Sequence, residues 1–212
     1  MKITKYEHAC LVVEEGNQKL VIDPGIFTTS LPADLDNVSV VVITHVHPDH
    51  CDQAHLEAIL SKNPDVQLYG TAEVAKALNP TKVNIVSGGD SAKIGNFNLK
   101  FYGGEHAVIY KSWPVNQNVG VMVNDKLYYP GDSFTNPETT VDTLAIPVSA
   151  PWLKTSESMD FLASIKPRIA FPTHNALLSG AGENLADNIL GDVAKNIKSE
   201  LKYLEPGEAL DI

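Results

Sequence analysis

Between Val40 and Asp52 the chain reads VVVITHVHPDHCD. A continuous β-branched run, as a strand buried on both faces requires, ends in three histidines and an aspartate within positions 45–50. Imidazoles buried without partners cost desolvation, and exposed ones need no such spacing. The crowding makes sense if these groups share positive charge supplied by a metal.

The pattern recurs along the chain. LVIDPG ends at Asp23, FYGGEH at His106, LYYPGDS reaches Asp132, and IAFPTH ends at His174. Each apolar segment delivers a metal-binding residue type into a loop, where α/β folds collect functional groups. A divalent transition metal takes imidazole and carboxylate donors. Asp132 in PGDS is also an ordinary turn aspartate, and lone loop histidines such as His106 and His174 are commonplace; beside the 45–50 cluster they read as ligands.

On these motifs the sequence resembles the metallo-β-lactamase-fold hydrolases: THVHPDH matches their signature, and GEH, PGDS and PTH follow in order. It is most similar to the small, compact branch that includes ascorbate-phosphate-lactonase-like proteins. The resemblance implies a four-layer αβ/βα sandwich, one domain over 1–212, and two divalent metal ions. Zinc is the first choice, with manganese or iron compatible with the same donors. It implies a first metal on His45, His47 and His106, a second on Asp49, His50 and His174, and Asp132 bridging them. Asp23 is implied to orient a ligand imidazole through its other ring nitrogen. The chemistry implied is hydrolysis of a small-molecule ester, lactone or phosphoester by a metal-activated hydroxide, with Asp49 and Asp132 as catalytic carboxylates.

The remaining chain reads as alternating strands and helices in two sheets. ACLVVEEGNQKLVID predicts two strands around a Gly-Asn turn, and VNDKL a second hairpin. QAHLEAILSK predicts a helix with Ala54, Leu56, Ile59 and Leu60 on one face. TAEVAKALN predicts a short helix capped by Thr71. SESMDFLASIK and NLADNILGDVAKNIKS are further helices, and the tail LEPGEALDI leaves no room for another.

Candidate substrate contacts are His8, which precedes a strand, then Tyr110, Lys111 and Trp113 in AVIYKSWPVNQN, and Trp152 and Lys154 in SAPWLKTSES. For His8 a core or surface role is at least as well supported, and each tryptophan also suits a core. Cys51 packs as a small apolar group or senses redox state. The net charge of −10, with Arg168 the only arginine among sixteen basic residues, speaks against a nucleic-acid phosphodiesterase, which would need a basic face. An iron-dependent thiol or redox enzyme of the same fold is a further alternative. A binding module is disfavoured because no ligand position is missing. No signal peptide or membrane span is expected, two cysteines without a disulfide pattern fit the cytoplasm, and homo-oligomerisation is left open.

Overall fold

The computed structural model describes residues 1–212. The first half builds one sheet in chain order: β1 (Lys2–Lys5), β2 (Leu11–Glu15), β3 (Gln18–Ile22), β4 (Val38–Ile43), β5 (Gln67–Gly70) and β6 (Asn84–Ile85). Helices α1 (Gln53–Lys62) and α2 (Ala72–Ala77) connect its parallel strands. The second sheet holds β7 (Ser91–Ile94), β8 (Phe97–Tyr102), β9 (Gly120–Val123), β10 (Leu127–Tyr129), β11 (Thr143–Pro147) and β12 (Ile169–Thr173). Helices α3 (Thr155–Ile165) and α4 (Gly180–Ile197) accompany it, followed by β13 (Glu200–Leu201) at its edge and β14 (Ala209–Asp211). β14 crosses back to pair antiparallel with β1, so each sheet has seven strands.

Three apolar layers hold these parts together. Between the sheets, Ile3, Leu11, Leu20, Val40 and Val42 meet Phe97, Phe101, Val121, Tyr129 and Phe171. Outside the first sheet, Val41, Ile43 and Leu68 pack under Leu56, Ile59 and Val74 of α1 and α2. Outside the second, Leu144, Ile146 and Ala170 pack under Phe161, Leu162, Leu190 and Ala194 of α3 and α4. The product is the expected αβ/βα sandwich. Each large side chain buried this way contributes roughly 1.5–3 kcal/mol, which offsets the entropy of ordering the chain.

Local chemistry explains the element ends. The Gly-Asn turn joins β2 and β3 with Glu15 opposite Gln18, Gly16 taking φ +62°. In the second hairpin Asn124 and Asp125 both adopt left-handed backbone, the conformation a tight turn of this hand demands. Thr71 caps α2 by accepting from Val74 N–H, and Asp52 caps α1 by accepting from His55 N–H. Two expectations need correction. Of the four residues placed on the inner face of α1, only Leu56 and Ile59 are buried. Helix α4 begins at Gly180, capped by Ser179, earlier than its apolar spacing suggested, because Gly180 and Gly182 hide its first turn from propensity. No helix is long and apolar enough to cross a membrane.

Both cysteines are free. Burial, then the charge of Asp23, pushes the Cys51 thiol up to about 12 and the Cys10 thiol higher still. Neither supplies thiolate near neutrality, and the thiolate is the reactive form. The folded protein is therefore expected to resist a thiol-exchange chromogen near pH 8, and to release two equivalents once unfolded. Rapid labelling of the native chain would contradict this environment for Cys51.

Candidate metal centre

The site sits where strand ends from both sheets converge. His45, His47, Asp49 and His50 follow β4, His106 follows β8, Asp132 follows β10, and His174 follows β12. Asp132 is the hub. The Nε2 atoms of His50, His106, His174 and His45 lie 3.1, 3.3, 3.1 and 3.9 Å from its carboxylate oxygens. Possible ligand atoms fall into three groups, each within 4.8 Å: His45, His47, His106 and Asp132; His8, Asp49, His50 and His174; and Asp23, His45 and His50.

The outer nitrogen of each imidazole fixes which atom faces inward. His50 Nδ1 donates to Asp23 Oδ2 at 2.8 Å. Thr44 Oγ1 donates to the same oxygen at 2.6 Å and accepts from His45 Nδ1 at 3.0 Å. His106 Nδ1 donates to the Ala107 carbonyl and His174 Nδ1 to the Ser149 carbonyl. With Nδ1 turned outward in all of these, Nε2 is the nitrogen that faces inward and offers its lone pair to a cation whenever it is unprotonated. His47 is reversed: its Nε2 donates to Asn116 Oδ1 at 3.2 Å, while Asn116 Nδ2 donates to Glu73 Oε2. Nδ1 is therefore its free nitrogen.

The consequence is a set of buried atoms with nothing to bind. His45, His50, His106 and His174 Nε2 and Asp132 Oδ1 are all buried without a hydrogen-bond partner. Orphaned buried polar atoms are rare in folded proteins and expensive. Converging imidazole lone pairs around a carboxylate form a donor set that fits a divalent cation of zinc type.

Electrostatics follow from this packing. Burial, reinforced by neighbouring His50, holds His45 well below the usual histidine range. Burial opposes charge on His50 too, but Asp132 and Asp23 outweigh it and raise its pKa. Asp132 is disfavoured by burial yet held well below the carboxylate range by His50 and His45. Asp49 is likewise kept ionised against its burial by the His8 hydrogen bond and by His50.

The structure places the candidate substrate contacts unevenly. His8 is 1% exposed. Its Nε2 donates to Asp49 Oδ2 at 3.1 Å, and its Nδ1 accepts from Ala176 N–H at 3.4 Å. It steadies a carboxylate instead of facing solvent. Trp152 is also buried: it is 9% exposed and its indole N–H donates to Asp132 Oδ2 at 2.9 Å. Tyr110 and Trp113 are exposed, their rings edge to face 6.0 Å apart, with Lys111 exposed between them. Lys154 is exposed before α3, its backbone N–H held by Glu157.

Several supports carried no sequence signal. Fully buried Asn118 accepts from Asp132 N–H at 3.0 Å and donates to the Pro130 carbonyl at 2.9 Å, fixing the hub. Three of the nine non-glycine residues at positive φ lie here, His8, Asp23 and His174, and His174 N–H donates to the His8 carbonyl at 2.7 Å. Such strain persists only where surrounding contacts over-determine it, and it clusters at functional sites.

This geometry can be set beside known proteins. A family model for the beta-lactamase superfamily domain matches residues 2–174, ending on the last histidine of the cluster. The chain belongs to the beta-lactamase superfamily. Protein Rv0786c of Mycobacterium tuberculosis is 36% identical over 84% of this chain and 86% of its own. A UPF0173 metal-dependent hydrolase of Thermoplasma acidophilum, Ta0764, is 24% identical over 82% and 83%. Igni18, a metallo hydrolase from Ignicoccus hospitalis, superposes with a TM-score of 0.74 at 17% identity, covering 100% of this chain and 98% of its own. That likeness shows the shared metallo-β-lactamase fold. Within the superfamily domain, removing a ligand's support should loosen metal and chemistry together. Trp152→Phe keeps the packing but deletes the bond to Asp132, and a loss of about 10- to 100-fold in metal affinity or activity is expected. Metal titration beside turnover would check it; unchanged values would mean the indole N–H has no influence on Asp132.

Proposed function

We propose that this superfamily member, a metal-dependent hydrolase, cleaves small-molecule esters, lactones or phosphoesters at a dinuclear site. The observation that carries the reading is the ring of buried, unpartnered imidazole nitrogens around Asp132. His45, His47 and His106 would hold one cation, Asp49, His50 and His174 the other, with Asp132 shared between them. Cations held there supply an acidified water as nucleophile and polarise the oxygen of the bond being cleaved.

The two carboxylates divide the remaining work. Asp132 is 4% exposed at its side chain and tied to Trp152 and Asn118, so it is a fixed structural charge. Asp49 is 23% exposed, and one of its oxygens, Oδ2, is steadied by His8. It is the group able to accept a proton from an incoming water and pass it to a leaving group. His8 keeps that carboxylate oriented, and Asp23 with Thr44 keeps His50 and His45 in the tautomers that present Nε2.

Elemental analysis of protein purified without added metal or chelator tests the reading, with His45→Ala alongside. About two equivalents of zinc, manganese or iron per chain, reduced in the variant, together with turnover of a lactone, ester or phosphoester panel, is the expected result. No metal even after reconstitution would overturn it. One tightly held iron with no hydrolysis would favour redox chemistry on the same fold.

A further inference from the structure

The residues between His106 and Asn116 form a closed-necked loop. His106 N–H donates to the Asn116 carbonyl at 2.9 Å, Ala107 N–H to the Asp132 carbonyl at 2.8 Å, and Glu105 bridges Gln117. Glu73 of α2 accepts from Gln117 N–H at 2.9 Å and from Asn116 Nδ2 at 3.2 Å. The neck is thus fastened to the first sheet's helix layer and to the loop of Asp132. Within the loop Trp113 N–H donates to the Tyr110 carbonyl, which turns the two rings into edge-to-face contact.

Inside this loop lies a cavity of about 260 Å³. Its floor is His47 and His106, two candidate metal ligands, and its walls include Val108, Tyr110, Trp113 and Val115. Those four wall residues are 58%, 53%, 61% and 43% exposed. An anchored loop that presents four large apolar groups to water, directly beside a metal-binding cluster, has the form of a ligand pocket: mostly apolar, with a few polar groups at one end. No Lys, Arg, Asp or Glu lines it. Among the apolar walls, away from the metal-binding floor, a charged substituent would lose hydration with no lining side chain of opposite charge to replace it.

We infer that this loop is the binding subsite for an uncharged apolar group of the substrate. The favoured substrates are then esters or lactones carrying an uncharged alkyl or aromatic substituent, with those carrying an anionic substituent disfavoured. The inference rests on the hydrolase reading above and narrows it. The substituent lies against Trp113 and Val115 while the bond to be cleaved meets His47 and His106 at the cavity floor. Burial of each added methylene favours binding by about fourfold at full coverage and less at this open mouth.

The test uses metal-loaded protein and γ-lactones with side chains from none to six carbons, beside a counterpart of the longest that ends in a carboxylate. The expected result is that kcat/KM rises about two- to fourfold per methylene, chiefly through KM. Trp113→Ser with Val115→Ser should flatten that rise, the long-to-short ratio within each protein serving as its own control. In parallel, cyclopentanones with the same side chains, which cannot be hydrolysed, are titrated against Trp113 fluorescence, with Trp113→Phe as the blank. Lactone turnover without chain-length dependence, or a preference for the carboxylated lactone, overturns the apolar subsite and leaves the hydrolase standing. Chain-length-dependent quenching by the ketones without turnover of any ester or lactone supports the subsite and counts against the hydrolase. No chain-length effect in either measurement, with the loop buried against a second copy in solution, assigns the apolar face to self-association and overturns the proposal.

Discussion

Asp132→Ala is expected to lower kcat/KM on the order of 10³-fold or more and to bring metal content below that of the wild type. The magnitude follows from position. Asp132 lies within 3.9 Å of the inward nitrogens of His45, His50, His106 and His174. Its removal leaves converging imidazoles with no anion among them, so a divalent cation loses both a ligand and the charge that offsets it. The loss should appear in two independent readings, turnover and metal bound per chain, while far-ultraviolet circular dichroism stays native. Full metal content with lost turnover would reassign Asp132 to proton transfer alone. Full activity would remove the proposed centre.

Gly25→Ala is expected to be the most damaging change outside the donor set. A Cβ at Gly25 would stand 1.8 Å from the Asp49 carbonyl oxygen and 1.9 Å from its carbon. Those are backbone atoms, and they cannot swing away. The loop of Gly25 also clasps the histidine loop from both sides: Ile26 N–H donates to the Pro48 carbonyl at 2.9 Å, and Asp52 N–H to the Pro24 carbonyl at 3.1 Å. Added bulk must part the two loops, carry Asp49 and His50 with them, and strip the cap from α1. A cost of about 2–4 kcal/mol follows, a fall in Tm of roughly 5–15 °C, with metal affinity reduced further. Gly180→Ala is the control: at the start of α4 nothing lies within 4 Å of the added methyl, so stability should hold or rise slightly. Equal Tm for both variants would mean that the loops have another way to pack.

These two positions mark what could and could not be read from the chain. Strand β4 and helix α1 were legible because their signals are local: a β-branched run and a helical spacing. The start of α4 was not, since a first turn of Gly180, Ala181 and Gly182 looks like a loop until Ser179 caps it and Ala186 and Leu190 are seen buried against the second sheet. At the site, the donor residues announced themselves by their type and their place at strand ends. Their supports did not. Trp152 and Asn118 reach Asp132 across 20 and 14 residues, and His8 reaches Asp49 across 41. A tryptophan after a strand reads as core or pocket, and nothing in NQNVG separates Asn118 from a turn residue. Gly25 was hidden for a different reason: its role is the space it leaves empty.

The two sheets share no backbone pairing with one another. His45, His47, Asp49 and His50 come from the first, and His106, Asp132 and His174 from the second. A cation bound among them is therefore a cross-link between two halves otherwise joined by apolar packing, the return of β14 and separate hydrogen bonds such as His174 N–H to the His8 carbonyl and Gln117 N–H to Glu73. Binding that requires both halves in register stabilises only the assembled molecule, by about 4 kcal/mol at a thousandfold excess over the dissociation constant. That is a large share of a typical folding free energy. The availability of metal is then expected to set how long a molecule survives proteolysis as well as how fast it turns over.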